Sequence, residues 1–120
     1  MSYDVSVTQQ RDHTRVVVTG APTIDQLLAL VHVLGIDSGN WKHDVLLVDL
    51  RKVSTQYSEG EQRSLGQEAA ASLVHMRKIA SVVAAERVTR ISERAARRDG
   101  TNVSVFDDER AALAWLREKD

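Results

Sequence analysis

Any chemistry in this 120-residue chain has to be sought first in one short stretch, where Asp49 sits in an apolar run and Ser54, Thr55, Tyr57, Ser58, Glu59 and Gly60 follow. Val45, Leu46, Leu47, Val48 and Leu50 form a continuous apolar segment, the pattern of a strand covered on both faces. The spacing places Asp49 at the end of that buried strand, where an α/β sheet borders the crevice in which ligands and partners sit. An aspartate so placed can accept a phosphoryl group. That chemistry needs Mg²⁺ held by further carboxylates and a cation to meet the phosphate. Thr19-Gly20-Ala21 after the early strand carries no acidic pair, and Phe106-Asp107-Asp108 after the last carries no lysine. Asp49 therefore reads as an acceptor for hydrogen bonds from its own loop.

Ser58 and Glu61 match S-x-x-E, a capping box in which the serine hydroxyl accepts from the backbone three residues on and the glutamate reaches back. A phosphate on Ser58 would meet the free N–H groups and positive dipole of a helix start, while Glu59 and Glu61 would repel it. Ser54, Thr55 and Ser64 have no histidine that spacing places beside them, so nucleophilic catalysis finds no support. His13, His32, His43 and His75 fall in four separate segments without metal-ligand spacing, and there is no glycine-rich phosphate loop. The expectation is a protein that is not an enzyme and holds no metal or cofactor.

Charge is unevenly spread. The net charge is -1, yet residues 76–98 hold seven basic and two acidic side chains. Arg87, Arg90, Arg94 and Arg97 keep a spacing that aligns them on one face of a helix opening at Glu86. Such a row is a solvated face or a surface for an acidic protein or a phosphorylated ligand. Nucleic acid is not expected, since no aromatic residues interleave and the whole chain is not basic. The chain has no cysteine, its first residues show no basic stretch leading into an apolar core, and no apolar run approaches a membrane span. These features fit a cytoplasmic protein with no integral membrane segment.

The elements that must position the 45–60 stretch follow from periodicity. Residues 4–9 and 15–19 alternate or cluster β-branched residues around a short polar connection, giving an antiparallel hairpin. Thr23 caps a helix carrying Leu27, Leu28, Val31 and Leu34 on one stripe, with Gly35 as its C-cap. After the central strand, a helix runs over about 58–74, interrupted by Gly60 and Gly66. Ile79 to Ala84 forms a strand, Glu86 opens the arginine helix, Asn102 to Phe106 forms the last strand, and Asp107 or Asp108 caps a final helix with Ala111, Ala112, Trp115 and Leu116 facing inward. Trp41 lies in a turn as an exposed contact. The order ββαβαβαβα implies one α/β domain over residues 1–120 with a mixed sheet, its later strands parallel.

With that order, the segment VDLRKVSTQYSEG and the closing VFDDERAALAWL, the chain resembles the SpoIIAA-like, STAS-type domains, the group that includes anti-sigma-factor antagonists and is related to SEC14-like folds. In the antagonists the central strand leads to a D-S-[ST]-G signature whose serine a partner kinase phosphorylates. Laid on Tyr57-Ser58-Glu59-Gly60, the resemblance puts Ser58 at the phospho-acceptor position and Gly60 at the glycine. Tyr57 stands where the family has aspartate, and Glu59 where it has serine or threonine. The resemblance implies a regulatory, protein-binding domain that meets an anti-sigma-like or other regulatory partner through residues 54–60. The alternative is a small-ligand domain, lipid- or nucleotide-binding, enclosed by apolar helix faces including Leu27, Val31 and Leu65. A homodimer stays open.

Overall fold

The structure, a computed structural model, describes residues 3–119. The alternating N-terminal segments form β1 (Tyr3–Gln9) and β2 (Thr14–Gly20), paired antiparallel. Gly20 closes β2 at φ 98°, a left-handed conformation that glycine adopts without Cβ strain. Thr23 then caps α1 (Ile24–Asp37): its hydroxyl accepts from Gln26 N–H, and the Gln26 side-chain oxygen accepts from Thr23 N–H. There follow β3 (Val45–Val53), α2 (Glu59–Leu73), β4 (Lys78–Val82), α3 (Ile91–Arg98), β5 (Val103–Phe106) and α4 (Glu109–Arg117). The expected order ββαβαβαβα is present. Strands lie side by side in chain order, β2 to β5 are parallel, and β3 is central.

Alternation along β3 explains its uninterrupted apolar character. Leu46 joins Val16, Val18, Ile79 and Val103 in a core closed by Leu34, Leu73 and Ala96 from α1, α2 and α3. Val45 and Leu47 face the other way and meet Ala80, Val82, Ala112 and Leu116, so α4 covers the opposite face. Leu46 and Leu47 have no exposed surface. Lys78 fastens the far end of α4: its ammonium, on a side chain otherwise buried, donates to the carbonyls of Trp115 and Glu118, both at 2.9 Å, and stands 5.2 Å from the Trp115 ring centre.

Four expectations need correction. Gly35 does not end α1, which continues to Asp37 with Ser38 at its C-cap; it lies where α1 touches α2, and a Cβ there would come within 2.5 Å of the Ser72 carbonyl oxygen. The arginine helix opens at Ile91 instead of Glu86, after a 3₁₀ turn at Ala85–Arg87. On α4, Ala112 and Leu116 are buried, but Ala111 is exposed and Trp115 only half-buried, tilted against Phe106 at 5.7 Å. Trp41 is half-buried and packs on the main core.

Candidate functional site

The β3–α2 connection, Ser54 to Ser58, forms a rim at the carboxyl ends of the strands. Its hold begins where β3 ends. Ser54 N–H donates to the Gly20 carbonyl at 2.9 Å, and its hydroxyl donates there at 3.2 Å. Tyr57 turns inward, and its O–H donates to the Pro22 carbonyl at 2.8 Å; burial pushes its phenol pKa up from the ordinary value. From the opposite side, the Arg87 guanidinium donates to three successive carbonyls, those of Val53 (2.5 Å), Ser54 (3.1 Å) and Thr55 (3.1 Å). Gln62 on α2 donates to the Tyr57 carbonyl at 3.0 Å and accepts from the Thr89 hydroxyl.

At the end of this rim Ser58 caps α2. Its hydroxyl accepts from Glu61 N–H at 3.1 Å, and Glu61 accepts from Ser58 N–H at 2.8 Å, so the capping box read from the sequence is complete. Ser58, Glu59 and Gly60 are exposed, as are Ser54 and Gln56, while Thr55 and Tyr57 are half-buried. The connection is thus tied down through its carbonyls and Tyr57 and presents the hydroxyl of Ser58 at the start of a helix. Removing Arg87 should loosen it locally. Arg87→Ala is expected to speed hydrogen exchange at Thr55 to Tyr57 more than tenfold, with a loss of global stability below about 1 kcal/mol because the guanidinium is half-exposed. Exchange mass spectrometry checks it, and unchanged protection would refute the anchoring role.

Beneath the rim lies a cavity of about 310 Å³, with Leu27, Leu50, Val53, Leu65, Val83 and Val105 among its walls and Gln62, Ser81, Thr89 and Ser92 as polar points. Leu27 and Leu65 therefore stand where an enclosed ligand would need them. Val31 lies outside the lining and packs against the core.

Asp49 belongs to a different place. β3 runs on to Val53, so Asp49 lies within the strand, on the face that α4 covers, and does not line the cavity under the rim. It accepts from Arg51 N–H (3.1 Å), Arg51 Nε (3.0 Å) and NH2 (2.8 Å), and from Arg15 NH2 (3.2 Å). Glu109, in the first turn of α4, accepts from both arginines at 2.8–3.2 Å. The Arg51 guanidinium holds the Asp49 carboxyl below the ordinary carboxylate range, and Arg15 does the same for Glu109. The four side chains form a neutral cluster that docks the start of α4 on the sheet.

The arginine row is also redistributed. Arg87 and Arg90 precede α3, so the four do not share one helical face. Arg90 donates to the Val105 carbonyl (2.7 Å) and to Glu93 (3.1 Å), and Arg97 to the Val103 carbonyl (2.8 Å). Arg94 is exposed. Sequence reasoning missed Arg87 as the anchor of the rim, together with the Gln62–Thr89 pair; these contacts span 27 to 34 residues, and no local pattern marks them.

The histidines remain apart. Ser38 and His75 do meet at 2.5 Å, but the Ser38 hydroxyl donates to the Gly35 carbonyl at 2.7 Å, which leaves it to accept from the imidazole. This pair ties the end of α1 to the segment after α2 and does not activate a nucleophile.

Comparison with solved structures places the architecture. An anti-sigma factor antagonist from Mycobacterium paratuberculosis superposes with a TM-score of 0.66 at 20% identity, over 98% of this chain and 96% of that one. An uncharacterized protein with a SpoIIAA-like fold from Shewanella loihica superposes with a TM-score of 0.52 at 17% identity, over 95% of this chain and 93% of that one. The chain has the SpoIIAA-like, STAS-type fold. No protein-family model matches the sequence, and no curated protein matches it significantly. Among the described residues no helix is long and apolar enough to cross a membrane.

Proposed function

We propose that the protein is a non-enzymatic regulatory domain that binds a protein partner through the rim Ser54 to Gly60, in the manner of an anti-sigma-factor antagonist. The observation that carries this reading is the rim itself: exposed polar side chains on a backbone held by Tyr57, Arg87 and Gln62, with the Ser58 hydroxyl displayed at a helix start. A surface ordered before binding saves the entropy of ordering it on contact. The fold shared with an antagonist over nearly the whole of both chains supports the same reading.

Two substitutions at Ser58 separate recognition from folding. Ser58→Ala removes the cap and is expected to cost about 1 kcal/mol in denaturant unfolding. Ser58→Asp keeps an N-cap acceptor and suits the helix dipole, so stability should stay within about 0.5 kcal/mol of the parent. Its added charge is expected to abolish capture of the regulatory partner in affinity pull-downs. A Ser58→Asp protein that captures every partner of the parent would show that this rim is not the binding surface.

A second reading rests on the cavity under the rim, whose volume lies at the lower end for small-molecule sites. A lipid- or nucleotide-like ligand held there would co-purify and add its mass in native mass spectrometry, and Leu65→Trp, which fills the cavity, would remove it. Bare protein mass after gentle purification speaks against this reading.

A further inference from the structure

The two edges of the sheet differ. Val103 and Val105 of β5 point their outer backbone groups at charged side chains: Arg97 and Arg90 donate to their carbonyls at 2.8 and 2.7 Å, and Glu93 accepts from Val105 N–H at 3.0 Å. That edge is closed to any further strand. β1, at the other edge, has no proline and no bulge against β2, and among the described residues no side chain bonds its backbone. Asp4 is its one charged residue. Proteins ordinarily block an exposed edge with charge, proline, a bulge or a cover, because unpaired backbone groups recruit another strand. β1 also leaves Val5 36% and Val7 44% exposed. These valines stand opposite Val18 and Val16, and so on the face of the sheet that the three helices cover further in.

We propose that β1 is a dimerisation edge, pairing antiparallel with β1 of a second copy about a two-fold axis through Ser6. The pattern of the strand selects a copy of itself as occupant. Centred on Ser6, Val5 of each copy stands opposite Val7 of the other, Asp4 opposite Thr8 and Tyr3 opposite Gln9. All seven residues of β1 then pair, the four valines share one face, and no like charges meet. Two five-stranded sheets become one continuous sheet of ten strands. The contact is isologous and closed, because each copy has a single free edge and its β5 side is sealed. It shares no residue with the rim Ser54 to Gly60, so either surface can fail experimentally while the other stands.

Sedimentation equilibrium over a concentration series is expected to give twice the 13.3 kDa chain mass. Val7→Lys, at an exposed position, is expected to sediment as a monomer with an unchanged circular dichroism spectrum. The chain has no cysteine, so an introduced one reports register. Ser6→Cys falls opposite itself across the axis, at a spacing a disulfide can bridge, and is expected to give a cross-linked dimer on oxidation. Thr8→Cys falls opposite Asp4 and is expected not to cross-link. A monomeric parent overturns the proposal. So does a dimer that survives Val7→Lys and is not captured by Ser6→Cys, and so does an edge that pairs only with a strand from another protein.

Discussion

Gly66→Ala is expected to lower the free energy of unfolding by about 2–3 kcal/mol, although alanine inside a helix ordinarily gains about 1 kcal/mol over glycine. The sign reverses because α2 lies against α3 at this residue. A Cβ on Gly66 would come within 2.3 Å of the Ser92 carbonyl oxygen, 2.8 Å of the Ala95 Cβ and 3.0 Å of the Ala96 nitrogen. Two of those three atoms are backbone, so no side-chain rotation relieves the clash, and the helices must move apart and loosen Ala70, Leu73 and Ala96 in the core. Gly60, six residues earlier in the same helix, is the internal control. Its nearest neighbour would be the Ser58 hydroxyl at 4.0 Å, so Gly60→Ala is expected to be neutral or to stabilise by up to about 1 kcal/mol. Chemical denaturation of both variants measures the pair. Equal effects of one sign would mean that α2 and α3 are not in this close contact.

The contrast between these two glycines also shows what was legible in the sequence. Both interrupt the same helical pattern, and periodicity treats both as weaknesses; only the position of α3 tells that one is a contact and the other a solvent-facing turn. What depends on neighbours in the chain was readable. The apolar run at Val45–Leu50, the S-x-x-E at Ser58 and the capping threonine at Thr23 are decided within a few residues, and each takes its expected place. What depends on distant partners was not. Helical spacing aligns Arg87 with Arg90, Arg94 and Arg97, but Arg87 spends its guanidinium on carbonyls of the β3–α2 connection, and Thr89 is drawn to Gln62, so the chain passes through a 3₁₀ turn at Ala85–Arg87 and an extended Val88 before the helix starts. The arginine row proves largely to be a set of backbone donors, two of which close a sheet edge. Asp49 was misplaced for a related reason. Period-two alternation sets Arg51 on its side of the strand, but Arg15 and Glu109 reach it only through sheet register and the return of α4.

Asp49→Asn is expected to cost about 1–2 kcal/mol at neutral pH, less than the full penalty for breaking a buried ion pair because water reaches its partners. The Asp49 side chain is 10% exposed, but those of Arg15 and Arg51 are 29% and 39% exposed, and Glu109 remains to serve both guanidiniums. The pH dependence is the sharper test. Hydrogen bonding by Arg51 lowers the Asp49 carboxyl below its ordinary 3.8, and Arg15 lowers Glu109 below its ordinary 4.5. A carboxylate with a depressed folded-state pKa binds fewer protons when folded than when unfolded, so its stabilising effect is complete above the unfolded value and disappears as pH falls through the folded one. Parent stability should therefore hold from neutral pH to about pH 5 and decline below about pH 4. Asp12, which His13 and Arg117 lower to about 2, adds to the same decline in parent and variant alike. The difference between them isolates Asp49: it should be full at pH 6 to 7 and shrink toward zero as the parent carboxyl takes up its proton below about pH 4. Urea unfolding of both proteins across this range gives the difference directly. A gap that stays constant into acid would mean that shape and not charge holds Asp49 in place, and that α4 is docked by its apolar residues alone.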